Sequence, residues 1–138
     1  PVVRKASAGK GVNQNGDERT WEEGDELDAF LAEAWTRPEE EDLSREQVYR
    51  DWLTRQFDIR GGAEPQAIGM DRFSIERMTR RVPKNGDGER KAHTLKRPDA
   101  TLTGTLRVTD GDAFVDLLRS GLGRHKSFGY GMLKVRRA

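Results

Sequence analysis

The sequence contains no cysteine, only two histidines, and no long run of apolar residues. Without cysteine, the chain can form neither a disulfide framework nor a thiolate metal site. The two histidines, His93 and His125, lie far apart in the sequence, so we expect no metal and no cofactor. No apolar segment approaches the length of a membrane span or a signal sequence, which favours a cytoplasmic protein with no membrane partner.

Apolar residues are also few, at 33% of the chain against 36% for charged residues. A chain of 138 residues can bury one modest core, so we predict a single domain over 1–138 with a heavily solvated surface.

Charge is divided unevenly along the chain. Residues 1–43 carry 12 acidic and 5 basic side chains, a net charge of −7, whereas residues 44–138 carry 12 acidic and 20 basic ones, a net charge of +8. Blocks of opposite sign suggest an acidic appendage on a basic module. The basic module has the electrostatic character of a nucleic-acid binder, and an ordinary solvated surface is the alternative.

Hydrophobic periodicity and turn residues predict six elements in the order β-α-β-β-α-β. They are a strand over 1–5, a helix from Ser44 to Gly61, a strand over 66–80, a strand clearest at 102–108, a helix opened by Thr109 or Asp110, and a strand over 132–136. Ser44 and Gln47 form a capping box, and a change of phase between Met70 and Phe73 predicts a bulge. This order is that of a single α+β domain with a ferredoxin-like, or RRM-like, fold.

An acidic insertion over 7–43 separates the first strand from the Ser44 helix. Residues 6–19 are rich in glycine and polar side chains, which predicts a flexible loop. After it, Asp25 is placed to cap a short helix that ends at Pro38. The apolar face of that helix is Leu27, Phe30, Leu31 and Ala34.

The segment 121–131 combines four glycines with three basic and two aromatic side chains. Glycine at this density lets the backbone approach a ligand and frees N–H groups to point at it, and the basic side chains favour an anion. The spacing is that of neither a Rossmann fingerprint nor a P-loop. We predict a loop that contacts the RNA backbone, with a purely structural turn as the alternative. The candidate residues are Gly121, Gly123, Arg124, His125, Lys126, Ser127, Gly129 and Gly131.

A second candidate site is the basic stretch that spans the two long strands and the turn between them. A basic β-hairpin can lie along an RNA stem, where it mostly touches phosphates. A solvated hairpin is the alternative. The candidate RNA-binding residues are Arg77, Arg80, Arg81, Lys84, Arg90, Lys91, Lys96 and Arg97.

The run from Gly104 to Leu133 resembles a known family. It contains Leu106-Arg107-Val108-Thr109-Asp110 and then Gly-Leu-Gly-x-x-Lys-Ser-x-Gly-x-Gly, which is similar to the CasE family of CRISPR-associated RAMP proteins. The start, Pro1-Val2-Val3-Arg4-Lys5, resembles the strand at the entry to that family's second half. The resemblance is strong over 86–135, fair over 1–5 and 44–80, and absent over 7–43. It implies that this chain, which begins with proline, corresponds to the C-terminal half of a two-domain protein.

The resemblance implies a metal-independent endoribonuclease that binds and cleaves CRISPR repeat stem-loops. It also implies that the cleaved crRNA stays bound within a Cascade complex, whose protein subunits are further partners. In that family the catalytic histidine lies in the N-terminal domain, so we expect this chain alone to be inactive. His93 and His125 are then phosphate contacts or surface residues, and Lys126 is the candidate for stabilising charge on the scissile phosphate.

Two other classes of function stay open. One is a non-catalytic RNA-binding or assembly subunit of the RAMP group. The other is a protein-interaction domain whose basic face meets an acidic partner, which includes its own acidic insertion.

Overall fold

The computed structural model describes residues 1–37, 39, 42–81 and 92–137. The N-terminal part contains four short strands and a short helix: β1 Val2–Arg4, β2 Gly9–Val12, β3 Glu18–Trp21, β4 Glu26–Asp28 and α1 Ala29–Ala34. The remainder is built from longer elements: α2 Arg45–Arg60, β5 Ala63–Arg81, β6 Ala92–Val108 and α3 Gly111–Ser120. The predicted α+β class is confirmed. No helix in the described ranges is both long enough and apolar enough to cross a membrane.

The described strands pair as three antiparallel ribbons: β1 with β4, β2 with β3, and β5 with β6. The predicted strand over 132–136 is wrong, because residues 132–137 have no regular secondary structure. In this tail Leu133 packs against the core, while Met132 and Val135 are exposed, so one apolar anchor holds it. The first strand forms as predicted but pairs with β4, where Val3 lies opposite Leu27. The ferredoxin-like arrangement of the sheet therefore stays a prediction.

The prediction of a flexible loop over 6–19 is wrong, because β2 and β3 form a hairpin within the acidic insertion. The side-chain Oδ1 of Asn13 holds the turn by accepting hydrogen bonds from the N–H groups of Asn15 and Asp17, at 3.0 and 2.9 Å. Gly11 lies so close to Trp35 that a Cβ at this position would collide with the Trp35 carbonyl oxygen. The glycine that predicted flexibility in the sequence therefore serves close packing in the fold.

The short helix α1 starts later than predicted. Asp28, not Asp25, stands at its N-cap position, and Asp25 instead accepts a hydrogen bond from the Glu22 N–H at 2.9 Å. Leu27 belongs to β4, and the helix buries Ala29 and Ala32. The carboxylate of Asp28 makes no cap hydrogen bond because Tyr49 and Arg45 of α2 occupy it.

The helix α2 begins where its sequence predicts. The Ser44 Oγ accepts a hydrogen bond from the Gln47 N–H at 3.4 Å, while the Gln47 side chain turns to Asp51, so only half of the capping box forms. Gly61 ends the helix with a φ of 70°, a conformation that favours glycine. Tyr49 and Phe57 are buried on the inner face, as predicted.

Strands β5 and β6 form a long two-stranded arm, with pairing that runs from Ala63↔Val108 to Arg81↔Ala92. An irregularity between Met70 and Arg72 confirms the predicted bulge. Near its base the arm packs on α2 through Met70, Phe73, Ala100 and Leu102. Its outer half is more exposed, and Ile75 there leaves 54% of its surface in solvent.

In the described part of the chain, buried apolar residues form three small clusters. One lies between α2, α3 and the base of the arm, where Phe57, Ala63, Leu117 and Leu122 are buried. Another lies within the insertion around Trp21, Leu27 and Ala32, and a third joins Ala29 of α1 to Val48 and Tyr49 of α2. Because the third cluster spans the insertion and the body, the insertion is part of the packed domain. Asp110 caps α3 as predicted, accepting from the Ala113 N–H at 3.0 Å.

Candidate functional site

The glycine-rich loop is closed at its neck by its own backbone. The Leu122 N–H donates to the carbonyl oxygen of Gly131 at 2.9 Å. Gly121 and Gly131 adopt positive φ angles of 65° and 73°. A Cβ at Gly131 would collide with the Leu122 carbonyl oxygen, and one at Gly121 would lie 2.7 Å from the Gly131 carbonyl oxygen. At these two positions glycine is required by the close approach of the two backbone segments.

Inside the neck, several backbone N–H groups bond within the loop. The Phe128 N–H donates to the His125 carbonyl and the Gly129 N–H to the Lys126 carbonyl, each at 3.0 Å, around a short 3-10 turn over Lys126–Phe128. His125 holds a φ of 62°, a left-handed conformation uncommon outside glycine. With these N–H groups occupied, side chains carry more of any anion binding than the sequence suggested.

Two of the predicted RNA-contacting side chains meet a carboxylate from the insertion. The Nε of Arg124 donates to Oε1 of Glu26 at 2.5 Å. The Nε2 of His125 lies 2.7 Å from Oε2 of the same residue, within ion-pair distance but outside hydrogen-bond geometry. Desolvation raises the pKa of Glu26, but the Arg124 hydrogen bond and the charges of His125 and Arg124 outweigh it and lower that pKa overall. An ionised carboxylate therefore occupies part of the basic surface of the loop.

Three other side chains of the loop are exposed: Lys126, Ser127 and Phe128. Within the described ranges Lys126 has no carboxylate at ion-pair distance. Phe128 leaves 56% of its surface in solvent, with its ring centroid 6.4 Å from that of His125. The loop thus presents one uncompensated cation beside an exposed aromatic ring.

Of the basic residues predicted on the arm, Arg77, Lys96 and Arg97 have described side chains. Arg80 and Arg81 lie in β5, where the backbone alone is described. Lys84, Arg90 and Lys91 lie outside the described residues. The basic side chains that the structure describes are therefore those nearest the base of the predicted hairpin.

On the arm, positive charge is compensated near the base and uncompensated further out. Arg107 pairs with Glu64 at 2.5 Å, and Arg72 with Asp99 at 3.4 Å. Further out, Arg77 lies directly opposite Lys96, and neither has an ion-pair partner in the described part of the chain. Like charges directly opposite on two strands are destabilising, so an anion bound here would relieve repulsion.

The loop and the arm face each other across a groove of about 530 Å³. Four residues of β6 form one wall: Arg97, Pro98, Ala100 and Leu102. Loop and tail residues form the other: Leu122, Gly123, Arg124, His125, Phe128, Tyr130, Gly131, Met132 and Leu133. Val2 and Trp52 also line it. The two segments that the sequence singled out separately thus border the same groove.

Sequence reasoning missed Glu26 and Trp52 as parts of this site. Glu26 carries a weak signal, since it belongs to the acidic insertion, which one alternative interpretation of the sequence named as a partner of the basic face. Trp52 carries no such signal, because a tryptophan on the inner face of a helix is interpreted as a core residue. In the structure it also supports the loop, since its ring lies 2.8 Å from where a Cβ of Gly123 would be. Among the described side chains, no three His, Asp or Glu residues converge to hold a metal ion.

A family model described as CRISPR associated protein matches residues 2–137. The match covers nearly the whole chain, so the chain belongs to this family of CRISPR-associated proteins. Membership indicates a role in a CRISPR system, with CRISPR RNA and other Cas proteins as partners. No curated protein matches the chain.

Proposed function

We propose that this chain is the RNA-binding C-terminal half of a CasE-type endoribonuclease, which binds and cleaves CRISPR repeat stem-loops and keeps the crRNA in a Cascade complex. The observation that carries the proposal is that the glycine-rich loop and β6 line one groove, with uncompensated cations next to its lining residues in the sequence: Lys126 follows His125, and Lys96, opposite Arg77, precedes Arg97. Membership in the CRISPR-associated family supports the biological setting.

The arm accounts for stem binding. The major groove of A-form RNA is deep and narrow, so a two-stranded ribbon along a stem meets mainly phosphates. Arg77 and Lys96 project side by side from neighbouring strands, and a phosphate between them removes their mutual repulsion. The loop supplies a second contact, through Lys126 and the part of Arg124 that Glu26 leaves free, since only its Nε is engaged.

The chemistry requires a base and an acid, and the proposal assigns both to the N-terminal domain that the resemblance implies. In metal-independent cleavage, a base removes the proton of the 2′-OH, whose oxygen then attacks the adjacent phosphorus to form a cyclic phosphate. The 5′-oxygen leaves and takes a proton from an acid. In this chain the Nε2 of His125 faces the Glu26 carboxylate, and the proposal gives His125 no part in the chemistry. Lys126 is placed to stabilise charge on the phosphate, while base and acid come from the N-terminal domain that the resemblance implies.

The test is a binding titration of the chain with a CRISPR repeat stem-loop and a single strand of equal length, each at two salt concentrations. We expect the stem-loop to bind more tightly and the affinity to fall with salt. Arg77→Ala and Lys126→Ala should each lower the log–log salt slope by about 0.7–0.9, the contribution of one phosphate contact. Arg55→Ala is the control, because Arg55 is an exposed arginine of α2 that belongs to neither the loop nor the arm.

Absence of RNA binding at low salt, or equal effects of all three substitutions, would contradict the proposal. The inactive-half assignment has its own test, in which the chain is incubated with labelled repeat RNA in EDTA. We expect bound but intact RNA, and specific cleavage by residues 1–138 would show the assignment to be wrong.

A protein-interaction domain is the second candidate, and the Glu26 contact is the observation that favours it. A carboxylate of the same chain already binds Arg124 and His125, so an acidic protein segment could use the same side chains. This candidate predicts that an acidic peptide displaces stem-loop RNA from the loop at low salt, whereas a peptide with glutamine in place of glutamate does not.

A further inference from the structure

The groove between the loop and the arm has apolar walls, which phosphate binding alone does not require. Pro98, Ala100 and Leu102 give it one apolar wall, and the opposite wall includes Phe128 and Met132. These last two side chains leave 56% and 80% of their surfaces in solvent. Large apolar side chains grouped at the edge of a concave site are typical of ligand-binding surfaces.

The size of the groove limits what it can hold. A volume of about 530 Å³ lies within the range of roughly 300–1,000 Å³ found for small-molecule pockets. This is too little for a duplex and enough for one nucleotide. A base has flat apolar faces that stack on aromatic side chains, and such stacking accepts any base.

The charges at the edge of the groove suit the same ligand. Arg97 lies on the arm side and Arg124 on the loop side, where Glu26 engages only its Nε, so an arginine borders the apolar interior on each side. An uncharged apolar ligand would make no use of these cations, whereas a nucleotide uses both, with its phosphate at the edge and its base inside.

We propose that the groove holds one unpaired nucleotide that flanks the bound stem, with its base against the Phe128 ring and its phosphate at the cationic edge. This inference rests on the proposed function, because it assumes that a stem already lies along the arm. It adds to that function a site for single-stranded RNA, so the protein reads the junction between stem and flank as well as the stem.

The experiment compares a blunt repeat stem-loop with stem-loops that carry one unpaired 2-aminopurine nucleotide at the 5′ or the 3′ end. For the chain as it stands, we expect one of the flanked RNAs to bind on the order of tenfold more tightly than the blunt one, which is the scale of one stacked base. The fluorescence of its 2-aminopurine should change on binding, because its stacking partner changes. In Phe128→Ala the ratio of flanked to blunt affinity should fall to about one.

Val135→Ala is the matched control, since Val135 is an exposed apolar residue of the tail that does not line the groove. It should keep the full ratio. Equal affinities of the original chain for all three RNAs would overturn the inference and leave the proposed function standing. A ratio that Phe128→Ala does not reduce would also overturn it, and failure to bind any of the RNAs would remove the proposed function as well.

Discussion

At the scale of single residues, Asp28 connects the acidic insertion to the rest of the domain. Its carboxylate is buried, and it accepts hydrogen bonds from the Tyr49 hydroxyl and from Arg45 Nη1, each at 2.6 Å. The Arg45 guanidinium also lies over the rings of Phe30 and Phe73, at 4.1 and 4.4 Å from their centroids. One ion pair therefore joins β4, α1, α2 and the base of the arm.

Replacing Asp28 with alanine should lower the free energy of unfolding by about 3–5 kcal/mol, because Arg45 is left largely buried without a counter-charge. Urea denaturation measures the change. Asp116→Ala is the control, since Asp116 forms an exposed pair with Arg119 on α3 that is worth about 0–1 kcal/mol. An equal loss in the two variants would show that the buried pair does not hold the insertion in place.

Glu26→Gln should raise the affinity for stem-loop RNA several-fold at low salt, because a carboxylate no longer neutralises Arg124 where a phosphate would bind. The same titration at high salt should show a smaller gain, since screening weakens the competition. Glu22→Gln is the control, because it removes the same charge from an exposed residue of the insertion. Glu22 forms no ion pair in the described part of the chain. Equal gains in both variants would mean that net charge alone acts, and a loss in Glu26→Gln would mean that Glu26 orients Arg124 for binding.

At the scale of elements, the sequence predicts the features that a capping residue or a change in the apolar pattern marks. Ser44 and Asp110 mark the starts of α2 and α3, and the change of phase after Met70 marks the bulge in the arm. The hairpin of β2 and β3 has a turn signal in Asn13, but its glycines were interpreted as flexibility, because their contacts with Trp21 and Trp35 appear only in the fold. The element to which Leu27 belongs is ambiguous in the sequence, since one apolar residue before a helical pattern fits a strand as well as a helix.

The composition of the sequence identifies the glycine-rich loop, but it does not show which of its residues are structural and which contact other parts of the chain. Gly121 and Gly131 serve the neck, and Gly123 makes room for Trp52. The contact of Arg124 and His125 with Glu26 spans most of the chain, so no local pattern in the sequence reveals it.

Gly131→Ala should open the neck of the loop. A Cβ there collides with the Leu122 carbonyl, and the φ of 73° adds about 1–2 kcal/mol of strain for a residue with a side chain. Gly129→Ala is the control, because its φ of 85° gives a similar strain while the space around it is open. Unfolding measurements should show a larger loss for Gly131→Ala, and equal losses would mean that the neck has room to adjust.

At the scale of the whole molecule, the two oppositely charged parts share buried contacts, since Ala29 packs with Val48 and Tyr49. The insertion contributes Trp21, Leu27 and Ala29 to the core, so its removal would expose apolar surface as well as delete acidic charge. Single substitutions such as Glu26→Gln therefore test its electrostatic role more cleanly than deletion of 7–43 does. The sequence separated the two charge blocks correctly, but it could not show that they share a core, because burial depends on pairing across the fold.

Stability at high pH depends on the same junction. Burial raises the pKa of Tyr49 above its ordinary value of 10.0, and the hydrogen bond to Asp28 adds to the shift. The folded state therefore keeps a proton that the unfolded state loses above about pH 10, so stability is complete below that pH and falls as the pH rises further. The slope should approach about 1.4 kcal/mol per pH unit. Denaturation between pH 9 and 11 measures it, and Tyr49→Phe should make the decline shallower; an unchanged slope in that variant would assign the decline to other groups.

The closed neck of the glycine-rich loop also bears on how such a protein can diverge. Because Leu122 and Gly131 join the two ends by a backbone hydrogen bond, the geometry of the ends does not depend on the side chains between them. Drift at positions 124–128 can then alter which anion is recognised without altering the fold that presents them. Under the proposed function, selection on stability would fix the glycines of the neck, while selection on the RNA would act on the residues within it. A lineage could then acquire a new repeat without a new scaffold.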